Sequence, residues 1–237
     1  MNCNFAINVQ SQLSQKNPGL NMPVLAYCIT EPGIEIDAAP KGVAGAQVES
    51  FTDSGLRCFV SALDKPEALT GQPARQVAME FYRVLQEIFR QATVIPFRFP
   101  TVVTANSELQ AHLDEHAEEY KNALERLREM VQMEIRITER ESSSANEPVT
   151  SGKEYLSSRR DRARELEAAA NKFRQAGETW IREWRQRTTQ QGIRCFALVH
   201  RDFQQDFAER ARGEPIPAVF ATRVSGPWPA TEFIKEV

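Results

Sequence analysis

The residues of this chain that come nearest to a catalytic pattern are His112-Leu113-Asp114-Glu115-His116. They match H-x-x-E-H, in which two imidazoles hold zinc and a carboxylate beside them activates a bound water. Such a site needs both rings on one helical face and a third ligand from another element. The spacing meets the first condition. His116 falls in an apolar helical seam, however, and Asp114 and Glu115 belong to an acidic run. A charged helix bearing two incidental histidines explains the string better than a zinc site made of His112, Glu115 and His116. The remaining histidine, His200, closes a strand-like run and reads as a satisfied residue at a core edge. No G-x-S-x-G elbow, no P-loop and no G-x-G-x-x-G occurs. Cys3, Cys28, Cys58 and Cys195 form no C-x-x-C, and the last three sit in apolar runs, as reduced core thiols do. These absences point away from an enzyme, a metal centre or a bound cofactor.

The elements that would position these residues fall into two textures. After a polar tail over 1–21, strand-like runs cover Val24 to Thr30, Val43 to Phe51 and Leu56 to Leu63. Asp53-Ser54-Gly55 is a hairpin turn between the last two. A helix is expected from about Pro73 to Ala92, because Pro73 suits a first turn and Ala74, Val77, Phe81, Leu85 and Ile88 form one apolar stripe. Thr93 to Phe99 reads as a strand, and Pro96 and Pro100 make it an edge or a bulge. These elements form an α+β domain over 22–105.

The second domain, over 106–237, is expected to carry long helical arms. Ser107 is the expected cap of a helix with Leu109, Leu113, His116, Tyr120, Leu124, Leu127 and Val131 as its seam. Met133 to Thr138 alternates like a strand, and about 139–150 is a flexible loop by composition. From Ser151 the spacing predicts a long helix through Leu156, Leu166, Phe173, Trp180 and Trp184, stopped by Gly192. The two helices are expected to pair antiparallel, like a coiled coil. A strand (Ile193 to His200), a helix (Asp202 to Arg212) and a strand (Pro217 to Val224) close the chain. The fold class expected is α+β, two small domains with a ferredoxin-like tendency and no internal repeat at the level of residues.

Charge narrows the partners. The chain has 237 residues with 29 basic and 32 acidic side chains, a net charge of −3. Seventeen acidic and 15 basic residues lie between Asn106 and Gln191. A clustered basic surface for phosphate backbones is not indicated. Arg159, Arg160, Arg162 and Arg164 alternate with Asp161 and Glu165, as on a solvated helix face. No run approaches the ~18 apolar residues of a membrane helix, and no signal-like leader opens the chain. The expectation is a cytoplasmic protein that binds neither nucleic acid nor a lipid membrane.

Three strings are more distinctive than any catalytic pattern. They are Ile95-Pro96-Phe97-Arg98-Phe99-Pro100-Thr101-Val102-Val103, Ser151-Gly152-Lys153-Glu154-Tyr155-Leu156, and Ser225-Gly226-Pro227-Trp228-Pro229-Ala230-Thr231-Glu232-Phe233. In order and separation they resemble the landmarks of the gas vesicle protein F/L family, from about Met22 to the end of the chain. Pro100 stands where that family usually has glycine, and Ala230-Thr231 where a second proline and an aromatic are common.

The resemblance implies an accessory protein of gas vesicle assembly, a two-domain α+β protein associated with the vesicle and not an enzyme. Its implied partners are the small, very hydrophobic shell protein and other accessory proteins of the vesicle. On this reading Ser151, Gly152, Tyr155, Leu156, Ser225, Gly226, Pro227, Trp228 and Pro229 are structural landmarks. Two surfaces offer contact with a partner. One is a groove in the helical pair at Leu124, Leu127, Phe173 and Trp180. The other is the proline-broken edge at Pro96, Phe97, Arg98 and Phe99. The competing account fills the seam with the two arms themselves and makes the P-F-R-F string structural.

Overall fold

The computed structural model describes residues 23–37, 40–63, 73–140 and 152–234. The expected tail over 1–21, most of the expected loop at 139–150, and Ser151 lie outside the described residues. The chain divides into two compact units, Met1–Glu129 with Phe233–Val237, and Met130–Glu232. The division therefore falls after Glu129, where the change of texture sets it at 105/106.

In the first unit the strands are β1 (Val24–Thr30), β2 (Glu49–Asp53), β3 (Leu56–Ala62) and β4 (Ile95–Val103), with helices α1 (Ala74–Gln91), α2 (Asn106–Glu115) and α3 (Ala117–Leu127). They form an antiparallel sheet in the order β2-β3-β1-β4. Asp53 pairs with Leu56 around Ser54 and Gly55, both with positive φ, so the expected hairpin turn is formed. The segment read as a strand from Val43 begins instead as a short 3-10 turn, Val43–Gly45. A buried network pins that turn to the sheet. The Tyr27 hydroxyl donates to Ser61 Oγ (3.1 Å) and accepts from Val43 N–H (3.1 Å), and Ser61 donates to the Gln47 carbonyl (2.9 Å).

Every residue of β1 is buried, so both faces of this sheet are covered. On the Tyr27 face lies α1, whose buried residues Val77, Phe81, Val84, Leu85, Ile88 and Phe89 contribute on the order of 10 kcal/mol of transfer free energy. On the Leu56 face lies α3, with Leu124 beside Leu56. The single helix expected from Ser107 to Val131 is broken at His116, whose backbone (φ −109°, ψ 13°) leaves the helical region. Its start is secured by Glu108, which accepts from Thr104 N–H (3.1 Å) and Thr104 Oγ1 (2.8 Å); Ser107 is not the cap.

The second unit holds β5 (Met130–Glu139), α4 (Gly152–Ala176), β6 (Ile181–Thr189), β7 (Gly192–His200), α5 (Gln204–Arg212) and β8 (Phe220–Trp228). Its sheet has the order β6-β7-β5-β8, all antiparallel. A β-α-β-β-α-β chain in this order is ferredoxin-like. The first sheet repeats the same strand order, a duplication of architecture with no trace in the residues. Helices α4 and α5 touch each other and pack on the face that carries Val131, Met133, Ile135, Cys195 and Val199.

The coiled-coil-like pair is not confirmed, because neither arm has its expected length. The expected second arm ends at Ala176, and the stretch through Trp184 to Thr189 is strand β6. Two physical reasons account for this. Gly177 gives the chain a weak helical point at which to turn, and Arg182 to Thr189 suits β7 as a hairpin partner through Thr189↔Gly192. Along α4 the described side chains from Leu156 to Glu165 are exposed or half-exposed, and burial begins at Leu166. Cys28, Cys58 and Cys195 are free, buried thiols, with burial pushing Cys195 up to about 12 and the other two up as well. They are inert at neutral pH.

Gly192 closes the β6–β7 hairpin at φ +144°, where a Cβ would lie 2.0 Å from the Ile137 carbonyl oxygen. Backbone cannot yield there cheaply. Gly192→Ala is expected to destabilise the second unit by about 3 kcal/mol or more, whereas Gly213→Ala, with nothing closer than 3.6 Å, should fall within about 1 kcal/mol of the parent. All three tryptophans lie in this unit, so urea unfolding followed by tryptophan fluorescence measures both.

Candidate functional site

Among the described residues the first sheet ends at β4, and the P-F-R-F string is what shapes that edge. β4 pairs with β1 at Ile29↔Ile95 and Cys28↔Pro96, then again at Ala26↔Thr101, Leu25↔Val102 and Val24↔Val103. Phe97, Arg98, Phe99 and Pro100 bulge out between these two stretches, opposite Tyr27. The bulge is closed internally: Thr101 Oγ1 donates to the Arg98 carbonyl at 2.6 Å, and the Phe99–Pro100 peptide is cis. Phe97 points into the core at 3% exposure, while Arg98 and Pro100 are exposed and Pro96 and Phe99 half-buried.

Phe99 rests on the ring of Phe81 in α1 (centroids 5.1 Å apart), and Phe81 stacks on Tyr27 (5.1 Å). Tyr82 meets Phe81 edge-on at 5.7 Å and is 47% exposed, and Met79, one turn away, is 63% exposed. Proline at 96 and 100 removes two backbone donors from the strand, which blunts indiscriminate sheet pairing. What the edge presents is half-buried Pro96 and Phe99 with exposed Arg98 and Pro100, and α1 behind Phe99 adds exposed Met79 and Tyr82. Met79 and Tyr82 were not named from sequence, although both are large apolar residues that fall off the stripe of α1.

The two histidines do come together. The rings of His112 and His116 lie 4.6 Å apart, tilted by 51°. Their nitrogens are occupied, though: His112 Nε2 is 2.8 Å from the Tyr120 hydroxyl, and His116 Nδ1 is 3.2 Å from Glu119 Oε2. Among the described residues no third His, Cys, Asp or Glu joins them in a metal-holding group. Burial, reinforced by the neighbouring His116 and opposed by Glu115, holds the His112 pKa below its ordinary value. Burial likewise pushes the Tyr120 hydroxyl up. The cluster locks the break between α2 and α3, and the zinc reading is not favoured. His200, half-exposed at the end of β7, accepts from Asp202 N–H at 3.3 Å and caps the following turn.

The four residues expected to line a groove fall in different units. Leu124 and Leu127 are about 1% exposed in the core of the first unit, and Phe173 about 1% exposed in that of the second. Trp180 is half-buried in the turn between α4 and β6. Leu124 and Leu127 thus belong to the first unit and Phe173 and Trp180 to the second.

The model of one family, the gas vesicle synthesis protein GvpL/GvpF family, matches residues 23–235. The chain belongs to this family. Two solved structures share its fold. Gas vesicle protein GvpF from Anabaena sp. PCC7120 superposes with a TM-score of 0.76 at 14% identity, over 91% of this chain and 97% of that one. GvpF from Microcystis aeruginosa superposes with a TM-score of 0.73 at 13% identity, over 90% and 99%. A search by sequence finds no match among curated proteins. Membership of the GvpL/GvpF family points to a gas vesicle accessory protein.

The S-G-P-W-P string has a local explanation in this family member. β8 bulges against β5 between Gln132↔Trp228 and Glu134↔Ser225, leaving Gly226 and Pro227 opposite Met133. A Cβ at Gly226 (φ +127°) would lie 2.8 Å from Met133 Sδ and 2.9 Å from the Gln132 carbonyl, so only glycine fits. Pro227 follows through a cis peptide, Trp228 Nε1 reaches Ser225 Oγ at 3.5 Å, and Pro229 is buried. Gly152 opens α4 and Leu156 is 66% exposed on it; the Tyr155 side chain lies outside the described residues.

The histidine pair carries a pH dependence with a definite sign. Because the folded His112 pKa is lowered, the unfolded chain binds more protons between that value and about 6.5. The stability His112 contributes is present above about pH 6.5 and is lost as pH falls toward the folded value. His112→Gln is expected to shrink the drop in Tm between neutral and mildly acidic pH. Melting curves of both proteins across that interval check it.

Proposed function

We propose that this chain is a cytoplasmic, vesicle-associated accessory protein that binds the hydrophobic shell protein of gas vesicles and supports their assembly. Family membership supports the vesicle role. The observation that carries the contact is the β4 edge, where Pro96, Arg98, Phe99 and Pro100 bulge out and Phe99 rests on α1, the helix that also bears exposed Met79 and Tyr82. A gas-filled shell needs a water-repelling inner face, so its free subunits carry apolar patches that aggregate. A soluble partner with a small apolar surface on a rigid sheet edge covers such a patch reversibly. The proline-broken strand resists pairing with copies of itself, which keeps that surface available.

The β4 edge also suits a segment added along its remaining backbone groups, with side chains of the added segment set against Phe99 and Tyr82. No catalytic step is assigned, and other accessory proteins of the vesicle are further partners on this reading. A photoreactive amino acid placed at Tyr82 or Arg98 in cells making vesicles is expected to crosslink the shell protein. The same group at Gln190, on the β6–β7 hairpin, is expected not to. The paired substitution Met79→Glu and Tyr82→Glu should reduce co-purified shell protein by about tenfold. Folded protein that crosslinks nothing from either edge position would sink the assignment.

A further inference from the structure

The face of the second sheet opposite α4 and α5 carries an arrangement that folding alone does not explain. Arg187 is the cross-strand partner of Arg194, Arg194 of Arg136, and Arg136 of Arg223. Four arginines thus stand in one rank straight across β6, β7, β5 and β8. At the ordinary strand spacing the rank spans about 14 Å. Like charges directly opposite one another destabilise a sheet, so the rank costs stability.

Among the described residues, two carboxylates answer part of that charge. Arg194 Nε meets Glu134 Oε1 at 2.8 Å, and Arg136 shares the same oxygen at 3.5 Å. Arg187 meets Glu232 at 2.7 Å. Arg223 is exposed, and among the described residues no ion pair is formed by it. Arg136 and Arg187 are 41% and 45% exposed, so three of the four guanidiniums face solvent. The residues one step along, Thr189, Gly192, Thr138 and Ala221, are small and leave a shelf beside the rank.

One contact within the chain bears on what this face would take. Glu232, 4% exposed, lies on it with its carboxylate on Arg187. Its carbonyl accepts from Arg185 Nη1 at 2.6 Å, and its N–H donates to Gln132 Oε1 at 2.9 Å. An acidic residue presented on backbone is therefore already docked at one end of the arginine surface. We propose that the rank Arg187–Arg194–Arg136–Arg223 binds an acidic, extended segment of a partner protein. Carboxylates at alternate positions of such a segment lie about 7 Å apart, so three of them match the rank. Guanidinium forks pair with carboxylates in bidentate fashion. Phe196 is buried under Arg194, and Trp228, the partner of Gln132 on this face, is exposed; what favours a carboxylate over a nucleic acid is Glu232, already held by Arg187.

The test uses the full chain and a fluorescein-labelled oligoglutamate peptide, read by anisotropy at low and at roughly physiological salt. Binding that weakens with salt is expected. The double variant Arg136→Gln, Arg223→Gln should lose about tenfold or more in affinity, while Arg159→Gln, Arg160→Gln, Arg164→Gln on α4 should match the parent. The double variant is also expected to melt at or above the parent, because opposed charges are removed. Should the double variant fail to fold, Arg223→Glu alone, which breaks no ion pair among the described residues, tests the same point: it should weaken binding further than Arg223→Gln. Absence of peptide binding, equal loss in the α4 variant, or tighter binding of oligothymidylate than of oligoglutamate would each overturn the proposal.

Discussion

The second unit depends on the register of β5 against β7. Nine successive pairs run from Met130↔His200 to Thr138↔Gly192 with no bulge. Because side chains alternate, this one register sorts every residue of both strands in a single step. Val131, Met133, Ile135 and Ile137 meet Val199, Ala197, Cys195 and Ile193 on the side where α4 and α5 lie. Glu134 and Arg136 meet Phe196 and Arg194 on the other. A slip of one residue would drive guanidiniums under the helices, at a cost no surface ion pair offsets. Gly192 stands at the end of this ladder, which is why a methyl group there has nowhere to go.

The outer strands beside the first strand of each sheet show a second constraint. β4 and β8 each pair with it, and each is interrupted by proline at a bulge: Pro96 and Pro100 in one, Gly226-Pro227 in the other. Open sheet edges are templates for aggregation. On the proposed function, a protein whose partner presents apolar surface has particular need to blunt them. The P-F-R-F and S-G-P-W-P strings are thus two solutions to one problem. Their distinctiveness as sequence follows from it, since a bulge with close backbone approach tolerates few residue types.

How much of this was legible from the residues follows from how local each feature is. β1, the hairpin turn at Ser54-Gly55, α1 and the edge character of β4 are set by short-range pattern and turn chemistry, and all were readable. The break at His116 was not, because the apolar spacing from Leu109 to Leu127 continues unbroken through it. Trp180 and Trp184 kept a helical spacing past Ala176, while what decides the strand is the partner β7, a tertiary influence on a stretch of weak preference. The histidine string was legible as a spacing. The hydroxyl of Tyr120 that occupies His112 was visible only as another member of the same seam. The arginine rank was invisible in principle: positions 136, 187, 194 and 223 become neighbours only once the strand order is known.

Charge in this chain therefore has two meanings that its sum of −3 conceals. Much of it sits on helix faces, where pairs such as Arg164 with Asp161 at 3.5 Å are exposed and worth little. The arginines of the second sheet are different, because cross-strand geometry forces them together. Each directly opposed like pair costs about 0.2–1 kcal/mol, and Glu134 and Glu232 offset only part of it. A sheet that needed only stability would place threonine or alternating charge there. An apolar edge alone also discriminates poorly between partners, since any water-repelling surface satisfies it. Charge supplies the selectivity that apolar contact lacks. On the two proposals above, the costly rank and the inexpensive edge are complementary: one would select, and the other would hold.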